Sequence, residues 1–233
     1  MSPPRAKARD VRSVFFDFDY TLVDSSVGVI ECVNYALKQM GLPLAEPDRI
    51  RSLIGVSLDK TFVELSAGRA AGRFEEFKRL FTQRGDEVML DGVRLFEPVK
   101  SAVARLLSGG LTLGIVSTKF RYRVEAVLRR EGLADAFAVV VGGEDVAAHK
   151  PDPQGLFLAM ERLSVDAGSA LFVGDSVIDA ETAIGAGVGF VAVLSGVTRT
   201  EALAAYRPLA IVADVGEVPA FVLALRESEG VRV

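Results

Sequence analysis

Two pairs of aspartates follow short apolar runs that are far apart in the chain. Asp17 and Asp19 come after the first run, and Asp175 and Asp179 come after a much later one. Converging carboxylates repel one another unless a cation joins them, and a few carboxylates with water and substrate phosphate commonly hold Mg²⁺. A carboxylate can also attack phosphorus and form an aspartyl-phosphate. If the two pairs meet in space, they favour Mg²⁺-assisted phosphoryl transfer.

Two further polar side chains follow other apolar runs. Ser117 comes after Leu111–Val116, and Lys150 comes a few residues beyond Ala138–Val141. A hydroxyl and an ammonium group both suit the oxygens of a phosphate. These residues can assist the aspartates only if all the runs end at one place.

The pattern after Pro98 predicts such an arrangement, because apolar, β-branched runs alternate there with helical segments. Alternation of this kind is typical of a doubly wound, Rossmann-like parallel sheet with helices on both faces. In such sheets ligands bind beyond the carboxyl ends of the strands. The predicted strands are Val14–Phe16, Leu111–Val116, Ala138–Val141, Ala170–Val173, Phe190–Leu194 and Ala210–Val212. The predicted helices between and after them are Val99–Leu107, Val124–Glu131, Gln154–Leu163, Ile178–Ala186, Glu201–Ala205 and one near Val218–Leu225.

A helical stretch interrupts the sheet pattern after the first strand. Its predicted helices are Val27–Met40, Ile50–Ile54, Lys60–Leu65 and Phe74–Met89. We therefore expect an α/β core formed by residues 1–24 and 92–233, with an inserted α-helical cap at residues 25–91. Phe74, Phe77 and Phe81 repeat at helical spacing and are expected to pack in the interior of the cap.

The composition limits the possible partners. The chain has 233 residues and a formal net charge of −4, so there is no general cationic field to attract nucleic acid or an anionic membrane. No apolar run is long enough to span a bilayer. The chain has a single cysteine, Cys32, which excludes an intramolecular disulfide. We expect Cys32 to be a buried core residue and the protein to work in a reducing cytoplasm. The sequence leaves a monomer and a homodimer equally open.

The motifs together resemble the haloacid dehalogenase superfamily. They are Asp17-Phe-Asp19-Tyr-Thr21, then Ser117, then Lys150 in His-Lys-Pro-Asp-Pro, and then Gly174-Asp175-Ser-Val-Ile-Asp179. The resemblance extends from about Val14 to Leu225 and is strongest to the phosphoglycolate phosphatase-like branch. It implies a Mg²⁺-dependent phosphatase that acts on a small phosphorylated metabolite, either phosphoglycolate-like or a sugar or nucleoside phosphate.

The resemblance also implies a role for each matching residue. Asp17 is expected to be the nucleophile and a metal ligand. Asp19 is expected to act as acid and then as base, and to offer its backbone carbonyl to the metal. Asp175 and Asp179 are expected to hold the metal, Asp179 directly or through water, and Ser117 and Lys150 to bind the phosphoryl oxygens. The candidate substrate contacts are Thr21, Thr118, Gly55 and Lys60, the last two in a cap loop that resembles the one reaching the leaving group in capped members.

Several other activities of this fold stay open. A pyrophosphatase and a β-phosphoglucomutase-like mutase are the main alternatives, although the mutases carry arginine where this chain has Leu58 and histidine where it has Val29. A phosphonatase would need a cap lysine in a different context. A dehalogenase lacks an acid at the position of Asp19, and an inactive binding protein would not need the full acid set. Tyr20 is a departure from the glycine that many members have there.

Three cationic residues near these motifs receive simple interpretations. His149, the only histidine, is not expected to act as a base, because Asp19 fills that role. Arg121 and Arg123 are expected to lie at a solvated helix start.

Overall fold

The computed structural model describes residues 11–68, 70 and 72–230. In this part of the chain one six-stranded parallel sheet has the strand order β5-β4-β1-β6-β7-β8. Its strands are β1 (Ser13–Phe16), β4 (Thr112–Val116), β5 (Val139–Val141), β6 (Ala170–Gly174), β7 (Gly189–Val193) and β8 (Ala210–Val212). This confirms the predicted doubly wound α/β class.

Helices cover both faces of the sheet. Successive residues of β1 point to opposite faces, and each packs against a different set of helices. Phe16 packs in the hydrophobic cluster that contains α5 (Val99–Ser108), α6 (Arg121–Glu131) and α10 (Val218–Gly230). Phe15 packs in the cluster on the other face. The helices of that second face are α7 (Gln154–Leu163), α8 (Val177–Ala186) and α9 (Thr200–Ala204).

The strand order places the end of β1 at the topological switch point, where the chain stops adding strands on one side of the sheet and begins to add them on the other. From β1 the chain builds β4 and β5 on one side and β6, β7 and β8 on the other. Ligands of open α/β sheets bind at such a switch point, beyond the carboxyl ends of the strands. Asp17 and Asp19 follow β1 at this point, between the ends of β4 and β6.

A helical cap is inserted between β1 and α5. Its helices are α1 (Ser26–Gln39), α2 (Pro47–Arg51), α3 (Leu58–Ser66) and α4 (Phe74–Val88). The two connections to the core, β2 (Val23–Asp24) and β3 (Arg94–Leu95), pair with each other in an antiparallel ladder. The division at residues 24 and 92 stays a prediction, and this ladder lies beside both limits.

The interior of the cap agrees with the helical pattern of its sequence. Cys32 and Phe77 are fully buried, and the Phe77 ring stacks on Phe62 with the ring centroids 4.6 Å apart. Burial raises the pKa of the Cys32 thiol to about 11, as expected of an inert core cysteine. None of the helices in the described residues is long and apolar enough to cross a bilayer.

Candidate active site

Three carboxylates meet beside one buried lysine: Asp17 follows β1, Asp175 follows β6, and Asp179 lies in the first turn of α8. Asp17, Asp175 and Asp179 each place an oxygen within 4.8 Å of the others. Lys150 Nζ lies 2.8 Å from Asp17 Oδ1 and 2.6 Å from Asp179 Oδ1, and the lysine side chain is 4% exposed. We call Asp17, Asp175, Asp179 and Lys150 the acidic cluster. It lies where the doubly wound topology predicts a ligand site.

The charges of the acidic cluster are not balanced by its own residues, because one ammonium faces three carboxylates. Burial raises the pKa of Asp17 to about 7, and Lys150 only partly offsets this. Burial and the two neighbouring aspartates raise the pKa of Asp175 well above its usual value. The pKa of Lys150 is raised by Asp17 and Asp179 in spite of its burial. A cluster of hard, crowded oxygen donors with excess negative charge suits a small divalent cation such as Mg²⁺.

Asp179 differs from the other aspartates because the protein occupies both of its oxygens. Oδ1 accepts from Lys150, and Oδ2 accepts from the Ser176 hydroxyl at 2.6 Å and from the Ser176 backbone N–H at 3.1 Å. Ser176 is the N-cap of α8, so the helix start fixes this carboxylate. Gly174 allows the close approach, since a Cβ there would lie 2.5 Å from the Asp179 Cβ. The geometry favours Asp179 as a partner of Lys150.

Asp175 is held more loosely, by a hydroxyl and by a glycine. The Thr21 hydroxyl donates to Asp175 Oδ1 at 3.3 Å. A Cβ on Gly196 would lie 1.9 Å from Asp175 Oδ2, so any larger residue at this point of the loop after β7 would displace the carboxylate. The neighbouring Ser195 hydroxyl donates to the Tyr20 carbonyl at 2.6 Å. Thr21 thus contacts a carboxylate of the cluster, and its predicted contact with substrate stays a prediction.

Tyr20 takes a backbone conformation that glycine adopts without a steric cost. Its φ is 60°, in the left-handed region that is costly for residues with a Cβ. The Tyr20 side chain is buried, with 6% of its surface exposed. Burial raises the pKa of the Tyr20 hydroxyl to about 12.

Asp19 lies outside the acidic cluster and pairs with a different lysine. Lys119 Nζ lies 2.9 Å from Asp19 Oδ1 and 3.1 Å from Oδ2, and the two side chains are 8% and 6% exposed. This separation from the cluster is compatible with the predicted acid and base role of Asp19, which stays a prediction, and only its backbone carbonyl was expected at the metal. Ser117, on the same turn, is buried, and its hydroxyl accepts from the Lys119 backbone N–H at 3.2 Å.

A cavity of about 660 Å³ separates this part of the core from the cap. Asp19, Thr118 and Lys119 line it from the core, and the stretch Ile54–Asp59 lines it from the cap. The Thr118 hydroxyl donates to the Gly55 carbonyl at 3.4 Å, so two predicted substrate contacts meet across the cavity. The loop containing Gly55 therefore faces the core, as its resemblance to the leaving-group loop implied.

Two predicted positions have other surroundings. Lys60 is exposed and does not line the cavity, although Asp59 and Thr61 on either side of it do. Arg123 was expected in solvent, and that prediction is wrong: the residue is 6% exposed.

The reason for the burial of Arg123 is a set of contacts with the cap. Its guanidinium donates to the Thr82 carbonyl and to Asp86 Oδ1 of α4, each at 2.8 Å. A Cβ on Gly85 would lie 2.6 Å from that guanidinium, so the helix leaves room for it. The Tyr122 hydroxyl also donates to Asp86, at 2.5 Å. The start of α6 is a contact between core and cap.

Sequence reasoning missed Lys119 and Gly196. The signal for Lys119 was its place two residues after Ser117, at a strand end that was already expected to lie in the site. Nothing in the local sequence indicates that Gly196 approaches Asp175, because the contact joins two separate strand ends.

Comparisons with known proteins establish the family of this chain. Residues 14–193 match the family model of haloacid dehalogenase-like hydrolases. The chain belongs to that family. Curated relatives include phosphoglycolate phosphatases from Yersinia pseudotuberculosis, 34% identical with 91% of this chain and 93% of the relative covered, and from Escherichia coli K12, 33% identical with 91% and 92% covered.

Solved structures show the same architecture. A haloacid dehalogenase-like hydrolase from Bacteroides fragilis is similar with a TM-score of 0.86 and 37% identity, over 90% of this chain and all (100%) of that one. A protein from Haemophilus somnus, described as a predicted phosphoglycolate phosphatase, is similar with a TM-score of 0.81 and 27% identity, over 91% and 98%. The chain is therefore an enzyme of the phosphoglycolate phosphatase-like branch, with a phosphatase's fold and an inserted cap.

Proposed function

We propose that this enzyme is a Mg²⁺-dependent phosphatase that hydrolyses a small phosphorylated metabolite through an aspartyl-phosphate on Asp17. The observation that carries the proposal is the acidic cluster. Lys150 contacts Asp17 there, and the negative charge of the other carboxylates exceeds what this one ammonium neutralises, which favours a bound cation. Asp17 and Asp175, with the Asp19 carbonyl, would hold Mg²⁺, and Asp179 would act directly or through water. When bound, Mg²⁺ offsets the charge of the transferring phosphoryl group.

The proposed reaction uses two carboxylates in sequence. An Asp17 oxygen forms a bond to phosphorus while the bond to the leaving oxygen breaks, and Asp19 gives that oxygen a proton. Asp19 then takes a proton from water, whose oxygen attacks phosphorus and releases Asp17 and inorganic phosphate. Lys150 and Ser117 would hold the phosphoryl oxygens, with Thr21, Thr118, Gly55 and Lys60 as further candidate contacts. The two acids form ion pairs with different lysines, Asp17 with Lys150 and Asp19 with Lys119, and this supports separate roles for them.

The substrate class follows from the relatives and from the size of the cavity. Phosphoglycolate is the substrate in the names of the curated relatives, and a cavity of about 660 Å³ accommodates it and sugar or nucleoside phosphates. Val29 and Leu58 line the cavity where mutases have histidine and arginine, and apolar groups are poor partners for a second phosphate. Hydrolysis is therefore favoured over a mutase reaction. Pyrophosphate hydrolysis is the second candidate, and it is tested by measuring kcat/KM for pyrophosphate beside phosphoglycolate.

The single cysteine is buried, which supports a reducing cytoplasmic setting. The net charge of −4 supports the absence of nucleic acid or an anionic membrane as a partner, and the proposed working form is a monomer or a homodimer. The test of the function is release of inorganic phosphate from a panel of phosphorylated metabolites, ranked by kcat/KM, with and without EDTA. The proposal predicts EDTA-sensitive release restored by Mg²⁺. Undiminished release in EDTA, or no release from any phosphoester, would contradict it.

A further inference from the structure

Lys119 has a donor that the protein does not use. An ammonium carries three N–H donors, and the carboxylate of Asp19 engages at most two of them. No other acceptor contacts Nζ among the residues that the structure describes. The side chain is 8% exposed and lines the cavity between core and cap. A desolvated donor that faces a ligand cavity is costly to leave unpaired once a ligand expels the water.

The position of Lys119 places this donor beside the leaving group. In the proposed reaction Asp19 gives a proton to the leaving oxygen, so any group in contact with Lys119 lies within a few bonds of that oxygen. Once Asp19 has given up its proton, its negative charge would repel an anionic leaving group there, and the ammonium of Lys119 offsets this repulsion.

The other cations that line the cavity are less suited to this role. The guanidinium of Arg123 is engaged by Thr82 and Asp86 of the cap. Lys78 is exposed, so water screens its charge. Lys119 is the buried cation of the cavity that has a free donor beside the proposed acid.

We infer that Lys119 is a specificity-determining residue that binds a negatively charged group of the leaving alcohol, close to the scissile ester oxygen. The enzyme selects substrates such as a phosphorylated 2-hydroxy acid, whose carboxylate is one carbon away from the ester oxygen. This inference rests on the proposed function and deepens it. Charge-assisted hydrogen bonds are the strong ones, so the preference for an anionic leaving group is large.

The experiment compares two substrates that differ mainly in this charge. Phosphoglycolate carries a carboxylate where 2-hydroxyethyl phosphate carries a neutral alcohol of similar size. The value of kcat/KM is measured for both with the wild type, Lys119→Met, Lys119→Arg and the matched control Lys78→Met. Pyrophosphate is measured alongside, to distinguish a carboxylate from a phosphate as the bound anion. Thermal melting of each variant shows whether it folds.

We expect the wild type to prefer phosphoglycolate or pyrophosphate over 2-hydroxyethyl phosphate. Lys119→Met should reduce that preference by about tenfold or more, as for a lost hydrogen bond to a charged group. Lys119→Arg should keep most of the preference, and Lys78→Met should leave the ratio near that of the wild type. If Lys119→Met lowers all substrates by one common factor, the lysine only positions Asp19 and the inference is wrong, while the proposed function stands. If the wild type hydrolyses no phosphoester, both are wrong.

Discussion

The ammonium of Lys150 lies 2.6 Å from an oxygen of Asp179, a carboxylate with no exposed surface. Ser176 supplies the other donors to this carboxylate, so the protein provides a donor to each of its two oxygens. Among the residues that the structure describes, the hydrogen bond that Asp175 receives comes from the hydroxyl of Thr21 at 3.3 Å. Two aspartates of one motif therefore differ in how much they depend on a cation.

Replacement of Asp179 should destabilise the fold even without metal. In Asp179→Asn the amide nitrogen cannot accept a hydrogen bond, so either Lys150 or Ser176 loses its acceptor. The buried ammonium of Lys150 also loses one of its anionic partners. We expect a loss of about 2 kcal/mol or more in the free energy of unfolding, measured by urea denaturation in EDTA. Asp48→Asn is the matched control, because that carboxylate is 94% exposed and should contribute little. Equal stability of Asp179→Asn and the wild type would show that the Lys150 contact is dispensable.

Replacement of Asp175 should have the opposite effect on the metal-free protein. This carboxylate is buried beside two others and is poorly compensated, so its removal relieves repulsion. We expect Asp175→Asn to melt at a higher temperature than the wild type in EDTA and to gain much less stability from added Mg²⁺. Thermal melting across a Mg²⁺ titration measures both effects. A lower melting temperature for Asp175→Asn in EDTA would mean that the repulsion is not the dominant effect.

Gly196 should control the affinity for Mg²⁺ although it carries no ligand. A methyl group at this position would overlap Asp175 Oδ2, so Gly196→Ala must displace the carboxylate. We expect the Mg²⁺ concentration for half-maximal activity to rise by about tenfold or more, as for loss of a group that orients a ligand. Gly168→Ala, where a Cβ would meet no atom within 4 Å, is the control. An unchanged Mg²⁺ requirement in Gly196→Ala would contradict this packing.

Because Gly85 contacts Arg123, we expect Gly85→Ala to lower the stability of the protein. Glycine to alanine inside an exposed helix usually stabilises by up to about 1 kcal/mol. In α4, Gly85→Ala would instead push the guanidinium away from Asp86 and Thr82. We expect Gly85→Ala to destabilise the wild type but not an Arg123→Met background, which a double-mutant cycle in urea detects. Additive effects of the two substitutions would show that the side chains are not coupled.

The sequence was sufficient to predict the strands and their common edge, because β1, β4 and β6 are almost wholly apolar and buried on both faces. Their order along the chain, with crossover helices between them, leaves few ways to arrange the following polar residues. The acidic cluster could therefore be expected from motifs that lie more than a hundred residues apart, as Thr21 and Asp175 do with a separation of 154.

Local features were predicted less well, for physical reasons. Helix α2 was expected at Ile50–Ile54 but spans Pro47–Arg51, because Pro47 at its first turn fixes a helical φ and Asp48 favours the N-terminus. The ladder of β2 and β3 is two residues long on each side and has no periodicity to detect. The burial of Arg123 depends on the cap lying over α6, which no local pattern encodes.

An aspartyl-phosphate on Asp17 should accumulate when Asp19→Asn is mixed with p-nitrophenyl phosphate and Mg²⁺. Nitrophenolate leaves without a proton from Asp19, whereas hydrolysis of the phospho-enzyme needs that residue as a base. We expect a rapid release of about one equivalent of nitrophenolate per enzyme, and one phosphoryl group that maps to Asp17 by mass spectrometry of the quenched protein. A phosphoryl group on another residue, or an Asp17→Asn variant that keeps a tenth of wild-type turnover, would contradict it.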